Sequence, residues 1–219
     1  MDIFDIIGPV MIGPSSSHTA GAVRIGRIAY KLLNELPIRA EIGLCGSFAQ
    51  TYKGHGTDKA LLAGIMNMHT DDIRIRNAQE VAKSMGIQYH LYTTQIKGAH
   101  PNTVEIYLVG KSGNECRMQG ASVGGGNIEI RSVNGMEVEF KAQQNTLLVL
   151  HRDVKGTIAA VSNSVAASGM NIGNFQLCRP KKGHEGLMTI EVDGDVKEED
   201  VIKLKSLPNV INVVLVRAL

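Results

Sequence analysis

Between Gly13 and Gly21 the chain reads Gly-Pro-Ser-Ser-Ser-His-Thr-Ala-Gly. Hydroxyls of Ser15, Ser16, Ser17 and Thr19, together with backbone N–H groups at a helix start, suit a carboxylate or phosphate. His18 in the same stretch could move a proton. The same residues also suit a Ser-rich cap that only starts a helix. Further along, His55 lies between two glycines in Gly54-His55-Gly56-Thr57-Asp58, and Asn102 follows His100-Pro101. His55 alone reads as a solvated residue of a Gly-rich turn. Asn102 can lend an amide to a ligand or make a turn. The run Gly124-Gly125-Gly126 lacks dinucleotide-binding spacing and reads as a tight connection where another backbone approaches.

These residues need elements to hold them. Apolar residues at helical spacing predict a helix over 20–36, stopped by Pro37. Ala40, Ile42 and Leu44 alternate as a strand. A helix is predicted over 57–68, capped by Thr57, and a third over 72–85, ended by Gly86. The period then becomes two, with strands near 87–91, 104–108, 115–121, 127–133 and 136–140. Gly110 to Asn114 and Asn134-Gly135 supply the hairpin turns. Beyond 142–145 the pattern restarts. Strands at 147–151, 170–178, 187–193 and 210–216 alternate with helices over 156–168 and after an Asp195/Glu198 capping box. That order is β-α-β-β-α-β, the ferredoxin-like plan. The fold class is α+β, with a mixed α/β domain over 1–142 and a ferredoxin-like domain over 146–219.

With 219 residues, 43% hydrophobic, 20% charged and a formal charge of +2, the chain has the composition of a globular protein. It has no basic run interleaved with aromatics, and aromatics make up 4%, so a nucleic-acid partner is not expected. No apolar run has membrane-spanning length, and the acidic start lacks a signal-peptide pattern, so a cytoplasmic location is expected. Cys45, Cys116 and Cys178 are scattered without a Cys-x-x-Cys pair. They read as small buried residues, and no metal site is expected in this chain.

Two resemblances bear on function. Residues 146–219 resemble the ACT domain, through His151-Arg152-Asp153-Val154-Lys155-Gly156 and Gly169-Met170-Asn171-Ile172. Lys155 stands where family members usually have proline. The resemblance implies side-by-side pairing into a homodimer, with His151, Asp153 and Asn171 as possible effector ligands. Asp153 replaces an amide found in serine-binding members, so it accepts but cannot donate. A domain used only for dimerisation is the other reading.

The ordered motifs at Gly13–Thr19, Gly54–Asp58, His100–Thr103 and Ser122–Gly126 resemble the iron–sulfur L-serine dehydratases, and specifically their β subunit. That implies a lyase converting L-serine to pyruvate and ammonia without pyridoxal phosphate. Its 4Fe–4S cluster would be ligated by an α subunit. The resemblance implies His18 and His55 as catalytic residues. It implies Ser15, Ser16, Ser17, Thr19 and Asn102 as substrate-binding residues. The alternative is a regulatory subunit that binds an anion or amino acid, as a similar domain does in some phosphoglycerate dehydrogenases. A free-standing metal hydrolase fits less well, because His18, His55 and His100 lack carboxylate-rich spacing.

Overall fold

A computed structural model describes residues 9–219. The chain forms two compact units, Met1–Gly135 and Met136–Leu219, which divide at the Asn134-Gly135 turn. Both turn residues have positive φ (50° and 79°), as a two-residue hairpin turn demands. The five N-terminal residues read for their charge pattern lie outside the described residues.

The first unit is built on strands β1 (Pro37–Cys45), β2 (Gln88–Thr94), β3 (Thr103–Gly110), β4 (Glu115–Gly124) and β5 (Asn127–Val133). Their order is β2-β1-β3-β4-β5. Only β1 and β2 are parallel; the other pairs are antiparallel. The register aligns Ile42 with Ile106, Ile106 with Met118, and Gly120 with Ile130. One continuous apolar face results, because side chains of matched residues share a face.

Helix α1 (Ala22–Leu33) lies on this face, with Ile25 against Gly120. It ends at Leu33 and not at residue 36. Asn34 adopts the left-handed conformation (φ 60°), Leu36 is exposed, and Pro37 already belongs to β1. Helix α2 (Gly46–His55) falls where a strand end and a loop are expected from sequence. Helix α3 (Thr57–Ile65) follows at once and ends three residues early, before the left-handed Asn67. Thr57 is not its cap: Gly56 holds that position, and the Thr57 hydroxyl is buried without a partner among the described residues. The predicted 72–85 helix divides into a 3-10 turn, Ile73–Asn77, capped by Asp72, and α4 (Ala78–Ser84).

Helices α1 and α3 cross at a pair of glycines. A Cβ at Gly26 would lie 2.6 Å from Leu61 O, and one at Gly64 would lie 2.3 Å from Val23 O. The helix backbones therefore touch directly.

The second unit contains β6 (Met136–Phe140), β7 (Asn145–Arg152), α5 (Thr157–Ala167), β8 (Asn171–Cys178), β9 (Glu185–Asp193), α6 (Glu198–Lys205) and β10 (Val210–Val216). The antiparallel order β10-β7-β9-β8 is the ferredoxin-like arrangement expected. Leu147, Val149, Met188, Ile190 and Val213 meet Val161, Val165, Val201 and Leu204 of the helices in its core. The Asp195/Glu198 capping box does not form. The Asp200 carboxylate accepts the Lys197 N–H at 3.2 Å instead, while Asp195 pairs with Arg217. Among the described residues no helix is long and apolar enough to cross a membrane.

Gly64→Ala must push backbone away from backbone, so its urea midpoint is expected to fall by the equivalent of about 1–3 kcal/mol. Gly173→Ala is the control, because its Cβ meets nothing nearer than 3.5 Å. Equal midpoints for the two variants would show that the helix crossing is not a close one.

Candidate active site

The Ser-rich motif folds as a π-helical turn, Ser16–Gly21, continuous with α1. Ser15 caps it in extended conformation. Its hydroxyl accepts the His18 N–H at 3.2 Å, and its carbonyl accepts the Thr19 N–H at 2.8 Å. The cap and the polar cluster, alternatives in the sequence, are thus one structure. Ser15, Ser16, Ser17 and His18 are part-buried, whereas Thr19 is buried against Gly13. The Thr19 hydroxyl has no partner among the described residues.

His18 sits among three residues of α2. Its ring meets the Phe48 edge at 5.2 Å and the His55 ring at 4.8 Å, and its Nε2 lies 3.3 Å from Ser47 Oγ. On the other side Nδ1 lies 3.4 Å from Ser15 Oγ. Both nitrogens therefore face hydroxyls, which can either donate or accept. Such partners leave the ring free to exchange tautomers, unlike a carbonyl or carboxylate. Burial lowers the His18 pKa below its ordinary value, and repulsion from His55 lowers it further. The ring is therefore neutral near pH 7 and able to accept a proton.

His55 is not a loop residue. It ends α2, and Gly56 turns the chain into α3 through a left-handed conformation (φ 69°). Its Nδ1 is buried without a partner among the described residues. Beside it in sequence, Asp58 Oδ2 accepts from Gln79 Nε2 at 3.0 Å, and Oδ1 is buried and unpartnered. The α2–α3 corner thus carries several buried polar atoms lacking partners among the described residues.

The start of α2 is fixed by a segment 54 residues further along the chain. Pro101 O accepts the Ser47 N–H at 2.7 Å, and a Cβ at Gly46 would lie 2.5 Å from the same oxygen. Asn102, next in the chain, therefore reaches this region through Pro101 and Ser47. It also links to β4: its carbonyl accepts the Ser122 N–H at 3.0 Å, and its Oδ1 is buried and unpartnered among the described residues.

Ser47 was not anticipated from sequence. The available signal is Gly-Ser following an apolar strand and preceding Phe48, a strand-to-helix start.

His151, Asp153 and Asn171 lie in the second unit and do not meet within one chain. His151 is opposite Gly186 on β9, whereas Asn171 is opposite Asp193. Seven residues along a strand separate these points by roughly 23 Å. The His151 ring is buried against Gly186. The Asp153 carboxylate accepts the Gly183 N–H at 2.8 Å and pairs with Arg179, and Asn171 donates to Asp193.

The cysteines do not form a ligand set. Cys45 adjoins Leu44, opposite Val104, and Cys116 is opposite Leu108, at the other end of β3. Cys178 belongs to the second unit. Burial pushes the Cys116 thiol up to about 12. Among the described residues no group of His, Cys, Asp and Glu could hold a metal ion.

Comparison with known proteins places this geometry in context. The family described as "Serine dehydratase beta chain" matches residues 1–97, and "AHAS small subunit-like ACT domain" matches residues 147–212. A Bacillus subtilis protein named "Probable L-serine dehydratase, beta chain" is 45% identical over 96% of each chain. The Peptoniphilus asaccharolyticus "L-serine dehydratase, beta chain" is 38% identical over 89% of this chain and 88% of its own. A Bacillus subtilis "D-3-phosphoglycerate dehydrogenase" is 24% identical over 89% of this chain but 37% of its own.

Histidine titration by NMR tests the paired rings. The His18 midpoint is expected below about 6.5 and to rise in His55→Ala, since a neighbouring positive charge is removed. Ser47→Ala should alter the His18 ring-nitrogen shifts, while Ser47→Thr keeps them. An unfolded chain protonates His18 more readily than the folded one. This contribution to stability is therefore complete above the unfolded pKa and is lost as pH falls through the folded one. Unchanged His18 shifts and midpoint in all three variants would rule out the contacts described.

Proposed function

Because the chain belongs to the L-serine dehydratase beta-chain family, we propose that it is the β subunit of an iron–sulfur L-serine dehydratase. In that role it supplies the substrate-facing half of the active site. The observation that carries this reading is the pair of imidazoles, His18 and His55, held 4.8 Å apart at a helix start rich in hydroxyls.

The reaction removes the α-proton and the β-hydroxyl of L-serine as water. The enamine left behind tautomerises to an imine, which water hydrolyses to pyruvate and ammonia. The substrate carboxylate is held by the Ser15, Ser16 and Ser17 hydroxyls and by N–H groups at the start of the turn, where the helix dipole favours an anion. Thr19, buried beneath them, sets the shape of the turn. The free Oδ1 of Asn102 is an acceptor suited to the substrate ammonium. His18, its pKa lowered by burial and by repulsion from His55, is neutral near pH 7 and accepts a proton.

Loss of hydroxide calls for a Lewis acid, and the residues of this chain do not fit a 4Fe–4S cluster. Its three cysteines lie on separate strands. We therefore assign the cluster ligands to an α partner chain. The separation of His151 and Asp153 from Asn171 fits an ACT homodimer, in which one copy's His end meets the other's Asn end.

A second reading makes the chain a binding module without catalytic residues. The likeness to a dehydrogenase over 89% of this chain favours it. Anaerobic serine turnover by the full chain co-expressed with its α partner separates the two. His18→Ala and His55→Ala should each lower kcat by about 100-fold or more while circular dichroism is unchanged. Near-normal turnover in both variants would favour the binding module.

A further inference from the structure

Helix α1 is buried on most sides, yet it carries two arginines one turn apart. Arg24 and Arg27 are both part-buried. Among the described residues neither takes part in an ion pair. Arg24 Nη1 donates to Gly126 O at 2.7 Å, and Arg27 Nη2 lies 3.3 Å from His69 Nε2. A guanidinium has no acceptor, so His69 Nε2 must be the acceptor, which places the ring proton on Nδ1. Arg27 Nε is buried and has no partner among the described residues.

Two segments flank this pair, one at Arg24 and one at Arg27. On one side is the Gly124–Gly126 loop, whose three residues all have positive φ and whose last residue touches Pro9. On the other is His69-Thr70, tied to the segment before the π turn. Thr70 O accepts the Ile12 N–H at 2.8 Å, and the Thr70 hydroxyl donates to Val10 O at 2.7 Å. Among the described residues the two guanidiniums thus meet only neutral acceptors, where part-buried positive charge calls for an anion. Burial depresses both arginine pKa values, and Arg24 depresses that of Arg27 further.

We propose that Arg24, Arg27 and His69 form a binding site for a tetrahedral oxyanion of the phosphate or phosphomonoester class. Two guanidinium forks offer paired N–H donors that match such an anion, and a dianion balances two positive charges. Bound there, it would satisfy the buried Arg27 Nε–H. The site lies roughly 9–14 Å along the helix axis from His18, so a ligand would report on the same helix that carries the Ser-rich turn. The proposal does not depend on the dehydratase reading.

Calorimetric titration of the full chain with inorganic phosphate and with methyl phosphate at low ionic strength tests it. One saturable site is expected, and comparison of the two anions tells free phosphate from a phosphomonoester. Arg24→Gln and Arg27→Gln should each weaken binding at least tenfold, and Arg27→Lys, which keeps charge but loses the fork, should weaken it less. The Arg27 Nε–H resonance should shift as phosphate is added, which places the ion here and not at the Ser-rich turn. If the glutamine variants fail to fold, the lysine variant and the resonance decide. No saturable binding to either anion, or undiminished affinity in Arg24→Gln/Arg27→Gln, would overturn the proposal. So would an absence of phosphate binding combined with weaker α-chain association in that double variant, which would instead mark an acidic protein partner.

Discussion

The N-terminal unit depends on the backbone contact between α1 and α3 at Gly26 and Gly64. Helices separated by ordinary side chains lie about 8–10 Å apart. Here each glycine leaves no room for even a methyl group, so the axes are drawn together. That contact fixes α3, the Gly56 corner fixes α2 to α3, and α2 carries Ser47, Phe48 and His55 to His18. Apolar burial on the sheet face supplies the general stability of this arrangement. The glycine crossing supplies its register.

Electrostatics at the site follow from that geometry. The structure holds two imidazoles within ring contact and gives His18 hydroxyl partners instead of a carboxylate. A carboxylate would stabilise the imidazolium and hold one tautomer. Two hydroxyls do neither. Burial and repulsion from His55 both lower the His18 pKa, so its imidazole favours the neutral form. The buried atoms without partners at His55, Thr57, Asp58 and Asn102 lie on the segments that meet around this pair. Buried polar groups left unpaired by protein are costly, and such positions are where ligand atoms or water commonly complete the bonding.

Much of this could be read from the sequence, for reasons that differ by element. The strands 127–133, 136–140 and 210–216 emerge with their predicted limits, because turn residues such as Asn134-Gly135 and Asn209 bound them sharply. The ferredoxin-like order was legible because alternation and helical spacing succeed each other cleanly. Helix α2 was not legible. Its sequence buries only Phe48, so it has no apolar stripe, and glycines stand at or near both ends. Its first turn is held by the Pro101 carbonyl, a long-range contact that no local pattern announces. Missing that helix meant missing Ser47 and placing His55 in a loop. His18 and the serines were found because their types carried chemistry before any fold was known. The pairing of Arg24 and Arg27 was hidden for another reason: helical spacing alone puts both on the polar face of an ordinary amphipathic helix.

The π turn has a further consequence. It holds one residue more than an α-helical turn would, and it runs directly into α1. An α-helix advances about 100° per residue. The extra residue therefore sets the rotational phase of Ser15 to His18 relative to the apolar stripe through Ile25 and Ile28. Removing a single residue between Ser16 and Gly21 would restore an unbroken α-helix with nearly the same composition. It would also swing the serines and the imidazole about a quarter-turn around the axis, away from α2. The chemistry of this end of the molecule is thus stored in the angular offset between two helical pitches as much as in the identity of the side chains.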